Sequence, residues 1–205
     1  MERKDHWETV YQTKSPTEVS WYEPTPEKSL ELITKAGISH EQQIIDVGGG
    51  ASTLVDCLLA EGYGNVTVLD ISATAIATAQ ERLGNKASVA KWLVADITTA
   101  PLAPQSYDLW HDRAVFHFLT NADDRRRYIE LVNHALKPGG HIIVATFAPD
   151  GPTKCSGLEV NRYAPDELHS EFGENFRLVH SEHEQHHTPF GTEQSFIYCY
   201  CVKQK

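Results

Sequence analysis

Ile44-Ile45-Asp46-Val47-Gly48-Gly49-Gly50 is the stretch that decides how this chain folds. A short apolar run closes on an acid and breaks into three glycines. The chain then resumes as Ala51-Ser52-Thr53-Leu54-Val55 and Cys57-Leu58-Leu59-Ala60, with apolar residues at helical spacing. Strand, tight turn and helix in that order make a nucleotide-binding βα unit. Glycine suits the turn because it accepts φ angles that a Cβ resists, and because a ligand can approach bare backbone. Three glycines by themselves say little; the acids that follow say more.

Working outward, Asn65-Val66-Thr67-Val68-Leu69-Asp70 reads as a second strand ending in an acid. Asp70 lies about 20 residues beyond the glycines, where a carboxylate receives ribose hydroxyls in nucleotide-binding units. Ser72 caps a helix that runs to Leu83 and is closed by Gly84. Lys91 to Asp96 is a third strand, and Ser106 to Asp112, after a loop marked by Pro101 and Pro104, a fourth. A helix over Asp123–Leu136 stops at Lys137-Pro138-Gly139-Gly140 before an apolar fifth strand, His141–Phe147. Residues 148–163 read as a polar loop, Pro165–Phe172 as a short helix, and 176–183 and 195–202 as two strands paired antiparallel. Upstream, Thr25-Pro26-Glu27 opens a helix with Leu30, Ile33 and Ala36 inward and Gly37 at its end.

Strands alternating with helices predict an α/β, doubly wound, Rossmann-like fold. The expected sheet is seven-stranded and mostly parallel, with an antiparallel C-terminal strand and helices on both faces. Residues 1–205 read as one domain. Residues 1–24 form an N-terminal segment bearing Trp7, Tyr11, Trp21 and Tyr22, either a simple helical staple or a lid that packs rings on a ligand and excludes water.

The 28 acids outnumber the 18 bases for a formal charge of −10, which disfavours nucleic acid and anionic membranes as partners. No apolar run reaches membrane-spanning length, and the N-terminus lacks a signal-peptide core, so a cytoplasmic location is expected. The 4 cysteines show no CxxC spacing, as reduced thiols would.

Ligands of such sheets bind beyond the carboxyl ends of the strands. Asp46, Asp70, Asp96 and Asp112 are expected along that rim, one per strand. A pyrophosphate wants backbone N–H groups rather than a crowd of carboxylates. A GxGxxG pattern starting at Gly48 would need glycine where Thr53 stands, and there is no GxxxxGK[ST]. Ribose, adenine and a cationic amino-acid tail suit an acidic rim far better, which points to S-adenosylmethionine.

Ile45-Asp46-Val47-Gly48-Gly49-Gly50, Val68-Leu69-Asp70-Ile71-Ser72, Val94-Ala95-Asp96-Ile97, Tyr107-Asp108-Leu109-Trp110 and Leu136-Lys137-Pro138-Gly139-Gly140 follow one another in order. Through them the chain resembles the class I S-adenosylmethionine-dependent methyltransferases. Its head, with Trp7, Tyr11 and Val19-Ser20-Trp21-Tyr22, is similar to that of small bacterial members and of the lysine methyltransferases acting on elongation factor and citrate synthase. One departure is Ser52, where the family has a third alternating glycine. The resemblance implies that Gly48 and Gly50 let backbone approach the cofactor's methionine part and ribose, with Asp46 also among the cofactor-binding residues. It implies that Asp70 holds the ribose, that Ile71 lies on the adenine, and that Asp96 and Ile97 receive the adenine amino edge. Arg113 would contact the cofactor too, and Trp7, Tyr11 and Trp21 would close over its methionine end. The products would be S-adenosylhomocysteine and a methylated acceptor.

His111, His117, Cys155, Tyr163 and His187 are the candidates to face that acceptor, with His117 as general base. The run His180, His183, His186, His187 does not share one strand face, so no metal site is expected. A small-molecule acceptor is favoured because the chain carries no appended recognition domain, with a protein lysine as the alternative. From other classes, a non-catalytic S-adenosylmethionine-binding module stays open, and an oxidoreductase would need the missing GxGxxG.

Overall fold

The computed structural model describes residues 3–205. Its elements in chain order are α1 (Arg3–Thr13), α2 (Glu27–Ala36), β1 (Ile44–Val47), α3 (Leu54–Ala60), β2 (Val66–Asp70), α4 (Ala73–Leu83), β3 (Lys91–Val94) and β4 (Tyr107–Arg113). They continue as α5 (Ala122–Ala135), β5 (Leu136–Phe147), β6 (Lys154–Cys155), β7 (Leu158–Glu159), α6 (Pro165–Phe172), β8 (Phe176–His187) and β9 (Glu193–Lys203). Seven strands form one sheet in the order β3-β2-β1-β4-β5-β9-β8. The first five are parallel, and β9 runs antiparallel to both of its neighbours. The order reverses at β1, between β2 and β4, and this is where a wound sheet opens a crevice.

Side-chain alternation divides the core into two layers. Ile44, Val66, Val68, Leu109, Ile143 and Tyr198 face α2 and α3, meeting Leu32, Ile33, Leu54, Val55 and Leu58. Ile45, Val47, Trp110, Ile142, Val144 and Ile197 face α5 and α6, meeting Tyr128, Val132, Leu168 and Phe172. With helices on both faces, the parallel strands read as continuous apolar runs.

Several boundaries differ from the sequence reading. Strand β5 begins at Leu136, paired with Tyr107, and the register shifts before Leu109. Pro138 has no amide hydrogen to donate, so the Lys-Pro-Gly-Gly stretch becomes an irregularity within a strand, with Gly139 at φ 77°, rather than a loop. The polar loop after β5 contains the β6–β7 hairpin, whose turn residues Ser156 and Gly157 both take positive φ, as a tight hairpin with right-handed twist requires. The buried face of α2 is Ser29, Leu32 and Ile33, displaced from the apolar stripe expected, and a serine at its centre calls for a polar partner. No described helix is long and apolar enough to cross a membrane.

Candidate functional site

The β1–α3 turn is built by its glycines. Gly48 sits at φ 70°, and a Cβ there would strike Val115. A Cβ on Gly49 would strike the Asp46 carboxylate, and one on Gly50 would come within 2.7 Å of Ala75 Cβ and 2.9 Å of Asp70 Cγ. Gly48 therefore opens the crevice directly, whereas Gly50 acts by leaving room for Asp70.

Two adjoining cavities lie over this turn and share Tyr11, Trp21, Val47, Gly48 and Arg113 as walls. The first, about 730 Å³ with its mouth included, is lined by Trp7, Asp70, Ile71, Asp96, Ile97, Phe118 and Cys155, among others. The second, about 580 Å³, is lined by Glu23, Ser29, Asp46, Gly49, Ser52, Thr53 and His111, among others.

In the first cavity, Asp70 ends β2 with Oδ1 accepting the Ser72 amide at 2.8 Å. Burial pushes its carboxyl up to about 7, against the Ser72 and Gly50 amides that favour the ionised form, with Asp46 and Glu8 adding repulsion. Asp96 lies two residues past β3, braced by the Thr98 amide at 2.8 Å and the Thr98 hydroxyl at 2.7 Å. Both acids line the cavity.

Helix α1 forms the roof. Arg3, Trp7 and Tyr11 recur every four residues, so one face presents all three. Arg3 pairs with Asp96 at 3.1 Å and with Asp124 at 2.5 Å. Trp7 meets Trp21 edge to face with centroids 5.8 Å apart, and Phe118 likewise at 5.0 Å. Glu8 reaches the start of α4, accepting from the Ala73 amide at 2.7 Å, the Ser72 hydroxyl at 3.0 Å and the Thr74 amide at 3.2 Å. A carboxylate over a helix N-terminus meets otherwise unpaired N–H groups and a favourable dipole. Arg3 and Glu8 escaped the sequence reading; the four-residue recurrence ahead of Trp7 was the signal for Arg3, and nothing local announces the partner of Glu8.

Arg113 stands between the cavities. It donates to the Trp21 carbonyl at 3.1 Å, Glu23 at 2.9 Å and the Tyr198 phenol at 3.0 Å, with its guanidinium 4.6 Å above the Phe196 ring. Burial opposes its charge, but Tyr198, Glu23 and Glu184 together hold its pKa above the ordinary value. Glu23 is also 3.3 Å from His186, whose other ring nitrogen meets the Ser20 carbonyl at 2.7 Å. Residues 20–23 are thereby clamped to β4 and β8, fixing Trp21 as a wall.

Asp46 and His111 are register partners on β1 and β4 and point to the α2 side. His111 Nδ1 is 2.7 Å from Asp46 Oδ1, and its Nε2 is 2.9 Å from Ser29 Oγ. His111 thus lines the second cavity, on the turn side of the crevice. Asp112 corrects the expected rim of four acids: alternation turns it to the opposite layer, fully buried, where it accepts from Tyr128 at 2.6 Å and from the Val115 amide at 2.9 Å.

The remaining acceptor candidates separate. Cys155 lines the first cavity, with burial pushing its thiol up to about 11, away from thiolate reactivity. His117 lines neither cavity. It is fully buried between Phe118 and Phe147, at centroid distances of 4.5 and 4.7 Å, and burial beside Arg113 pushes its pKa down to about 3. An imidazole so disposed neither reaches a substrate nor holds a proton well, which removes it as general base. Tyr163 is buried with its phenol 3.2 Å from both Asn161 and Glu171, outside both cavities. His187 is 76% exposed on β8 beside Glu193. Among the described residues no group of three or more His, Cys, Asp or Glu side chains is arranged to hold a metal ion.

Residues 45–144 match the methyltransferase domain family. An uncharacterised methyltransferase of Mycobacterium tuberculosis is 34% identical over 117 residues, 57% of this chain and 55% of that protein, so the match spans about half the length of these curated relatives. Human EEF1A lysine methyltransferase 2 is 22% identical over 190 residues, covering 86% of this chain and 75% of that protein. Among solved structures, the N-methyltransferase NodS from Bradyrhizobium japonicum, in complex with S-adenosyl-l-homocysteine, superposes with a TM-score of 0.72 at 14% identity over 100% of both chains. Sheet order, glycine turn and the family match over residues 45–144 agree in their likeness to the class I S-adenosylmethionine-dependent methyltransferases.

Proposed function

We propose that this protein transfers a methyl group from S-adenosylmethionine to a small-molecule acceptor. The observation that carries the reading is the pair of joined cavities, with carboxylates Asp70 and Asp96 in one, Asp46 in the other, and Gly48 as the bare backbone between them. In this reading Asp70 receives the ribose hydroxyls, Asp96 the adenine amino edge, and Ile71 and Ile97 the faces of the base. Asp46 Oδ2 is buried with no hydrogen-bond partner among the described residues, which suits a cationic group of the ligand.

The bound cofactor supplies a methyl group already activated on a sulfonium. The chain's own residues align and shield. Trp7, Tyr11 and Trp21 roof the junction of the cavities and exclude water, and Arg113 fixes Trp21 through its carbonyl. With His117 outside both cavities and His111 held between Asp46 and Ser29, this reading calls on no imidazole base, and it suits an acceptor that is nucleophilic at neutral pH or gives its proton to solvent. The apolar wall of Trp7, Phe118, Leu119 and Cys155 favours an acceptor with an apolar or aromatic body.

A protein lysine is the second reading, favoured by the breadth of the match to human EEF1A lysine methyltransferase 2. Titration calorimetry with S-adenosylmethionine tests the cofactor. Turnover against a panel of thiols, amines, carboxylates, phenols and candidate proteins then separates the acceptor classes. Binding without turnover on any of them would leave a non-catalytic cofactor-binding module.

A further inference from the structure

Tyr11, Trp21, Val47, Gly48 and Arg113 wall both cavities. In the reading above, the adenosine side of the cofactor lies in the first cavity and its amino-acid tail in the second, so the sulfonium between them falls at this junction. A positive charge moved there from water needs an answering group. The side chains of the junction offer no free anion. Asp70 lies to one side and Asp46 to the other, each with its own task in that reading. The Trp21 carbonyl is turned to Arg113 at 3.1 Å. Arg113 is itself met by Glu23 at 2.9 Å, Glu184 at 3.8 Å and the face of Phe196 at 4.6 Å, so its charge is balanced from behind rather than presented to the cavities. Val47 and Gly48 bring no side-chain charge.

What remains at the junction is two rings. Tyr11 and Trp21 meet with centroids 6.4 Å apart and planes at 79°, forming a corner. Trp7, edge to face with Trp21 at 5.8 Å, extends that corner into the first cavity. All three rings are only partly buried although they roof the crevice, which leaves ring surface toward the cavities. Burial, with Asp70 nearby, holds the Tyr11 phenol neutral, so it brings a ring face and no anionic oxygen. Aromatic faces carry the negative part of a quadrupole and attract a cation, most strongly one that has lost its water.

We propose that Tyr11 and Trp21 recognise the charge on the cofactor's sulfur and thereby select the methyl donor over the demethylated product. In the transfer, the acceptor's lone pair forms the new bond to carbon and the S–C electron pair returns to sulfur, which becomes a neutral thioether. The attraction to the rings ends with that step, and the product is held by its other contacts alone. The proposal rests on the cofactor reading above and deepens it, giving the two rings a part in specificity beyond the exclusion of water.

Calorimetry with three ligands tests it: S-adenosylmethionine, S-adenosylhomocysteine, and sinefungin, which carries an ammonium where the donor has its sulfonium. Tyr11→Leu and Trp21→Leu should each weaken S-adenosylmethionine and sinefungin about five- to tenfold more than S-adenosylhomocysteine. Tyr11→Phe keeps the ring and should leave that ratio of affinities within about twofold of wild type. The two leucine variants are independent, so either carries the test if the other does not fold, and Tyr11→Phe, a small change, guards against both. Equal weakening of all three ligands, or a shifted ratio in Tyr11→Phe, would overturn the proposal. So would a selective loss of S-adenosylmethionine without sinefungin, which would mark packing on the methyl group rather than recognition of charge. Wild-type protein that bound none of the three would instead bring down the cofactor reading itself, a distinct result.

Discussion

Glu8 provides the sharpest test of the roof, because it ties α1 to the cofactor-side helix without lining either cavity. Its carboxylate takes three donors from the start of α4. Glu8→Ala leaves the Ala73 and Thr74 amides to water and the Ser72 hydroxyl to its remaining role as N-cap for Ala75. Because the group is largely solvated, its value is that of a helix-terminal acceptor rather than of a buried ion pair, about 1 kcal/mol. If the roof must close for tight binding, the same free energy appears as a loss of cofactor affinity of about fivefold. Glu8→Gln keeps an acceptor oxygen and should lose roughly half as much. Burial acts to raise the Glu8 carboxyl, but the bonds from Thr74, Ala73 and Ser72 outweigh it and hold the group below its ordinary 4.5. A depressed carboxyl contributes fully above its unfolded value and loses its contribution as pH falls through the folded one. The difference between wild type and Glu8→Ala should therefore be constant at neutral pH and vanish in acid below the ordinary carboxylate range. Urea titration followed by tryptophan fluorescence, with Trp7 and Trp21 as reporters, measures the stability, and calorimetry with S-adenosylhomocysteine measures the coupling. Unchanged affinity in Glu8→Ala, with the expected loss of stability, would show that the roof takes no part in binding. Unchanged stability would refute the contact itself.

Asp70→Asn should abolish measurable cofactor binding in calorimetry. Because burial raises the Asp70 carboxyl to about 7, its ionisation opposes folding increasingly as pH rises from about 4 to 7, so the same variant should be more stable than wild type at pH 8, by about 1–3 kcal/mol. In the wild type, cofactor affinity should fall as pH drops below about 7 and Asp70 is protonated before binding; a flat profile from pH 8 to 6 would contradict the assignment. Gly48→Val forces a side chain onto Val115 at a positive φ and should lose binding together with about 2 kcal/mol or more of stability, seen in a thermal melt. His117→Gln should lower the melting temperature while leaving cofactor affinity and turnover per folded molecule at wild-type levels; a selective loss of turnover would return it to the mechanism.

Much of the fold was legible because it is written in local periodicities. Apolar runs of strand length, helical spacing between them, and Gly84, Gly37 and Pro165 at helix boundaries each describe a few neighbouring residues. The missing Cβ at Gly48 and the acids at or near the ends of β1, β2 and β3 are equally local, which is why Asp46, Asp70 and Asp96 were placed near the crevice from their spacing. The Lys137–Gly140 stretch was misread because turn-forming residues can also sit in an irregular strand once a neighbour pairs with it.

What the chain alone determined, then, was the wound sheet, its glycine turn, and the methyltransferase resemblance those motifs carry. Which face each rim residue took was decided by tertiary structure. Alternation sends neighbours such as His111 and Asp112 to opposite layers, and only the pairing of β4 with β1 establishes that His111 meets Asp46 while Asp112 goes to Tyr128. The contacts that complete the site join residues 93 positions apart for Arg3 and Asp96, 82 for Ser29 and His111, and 64 for Glu8 and Ser72. No short-range pattern encodes such pairs, because their proximity exists only after the layers have packed.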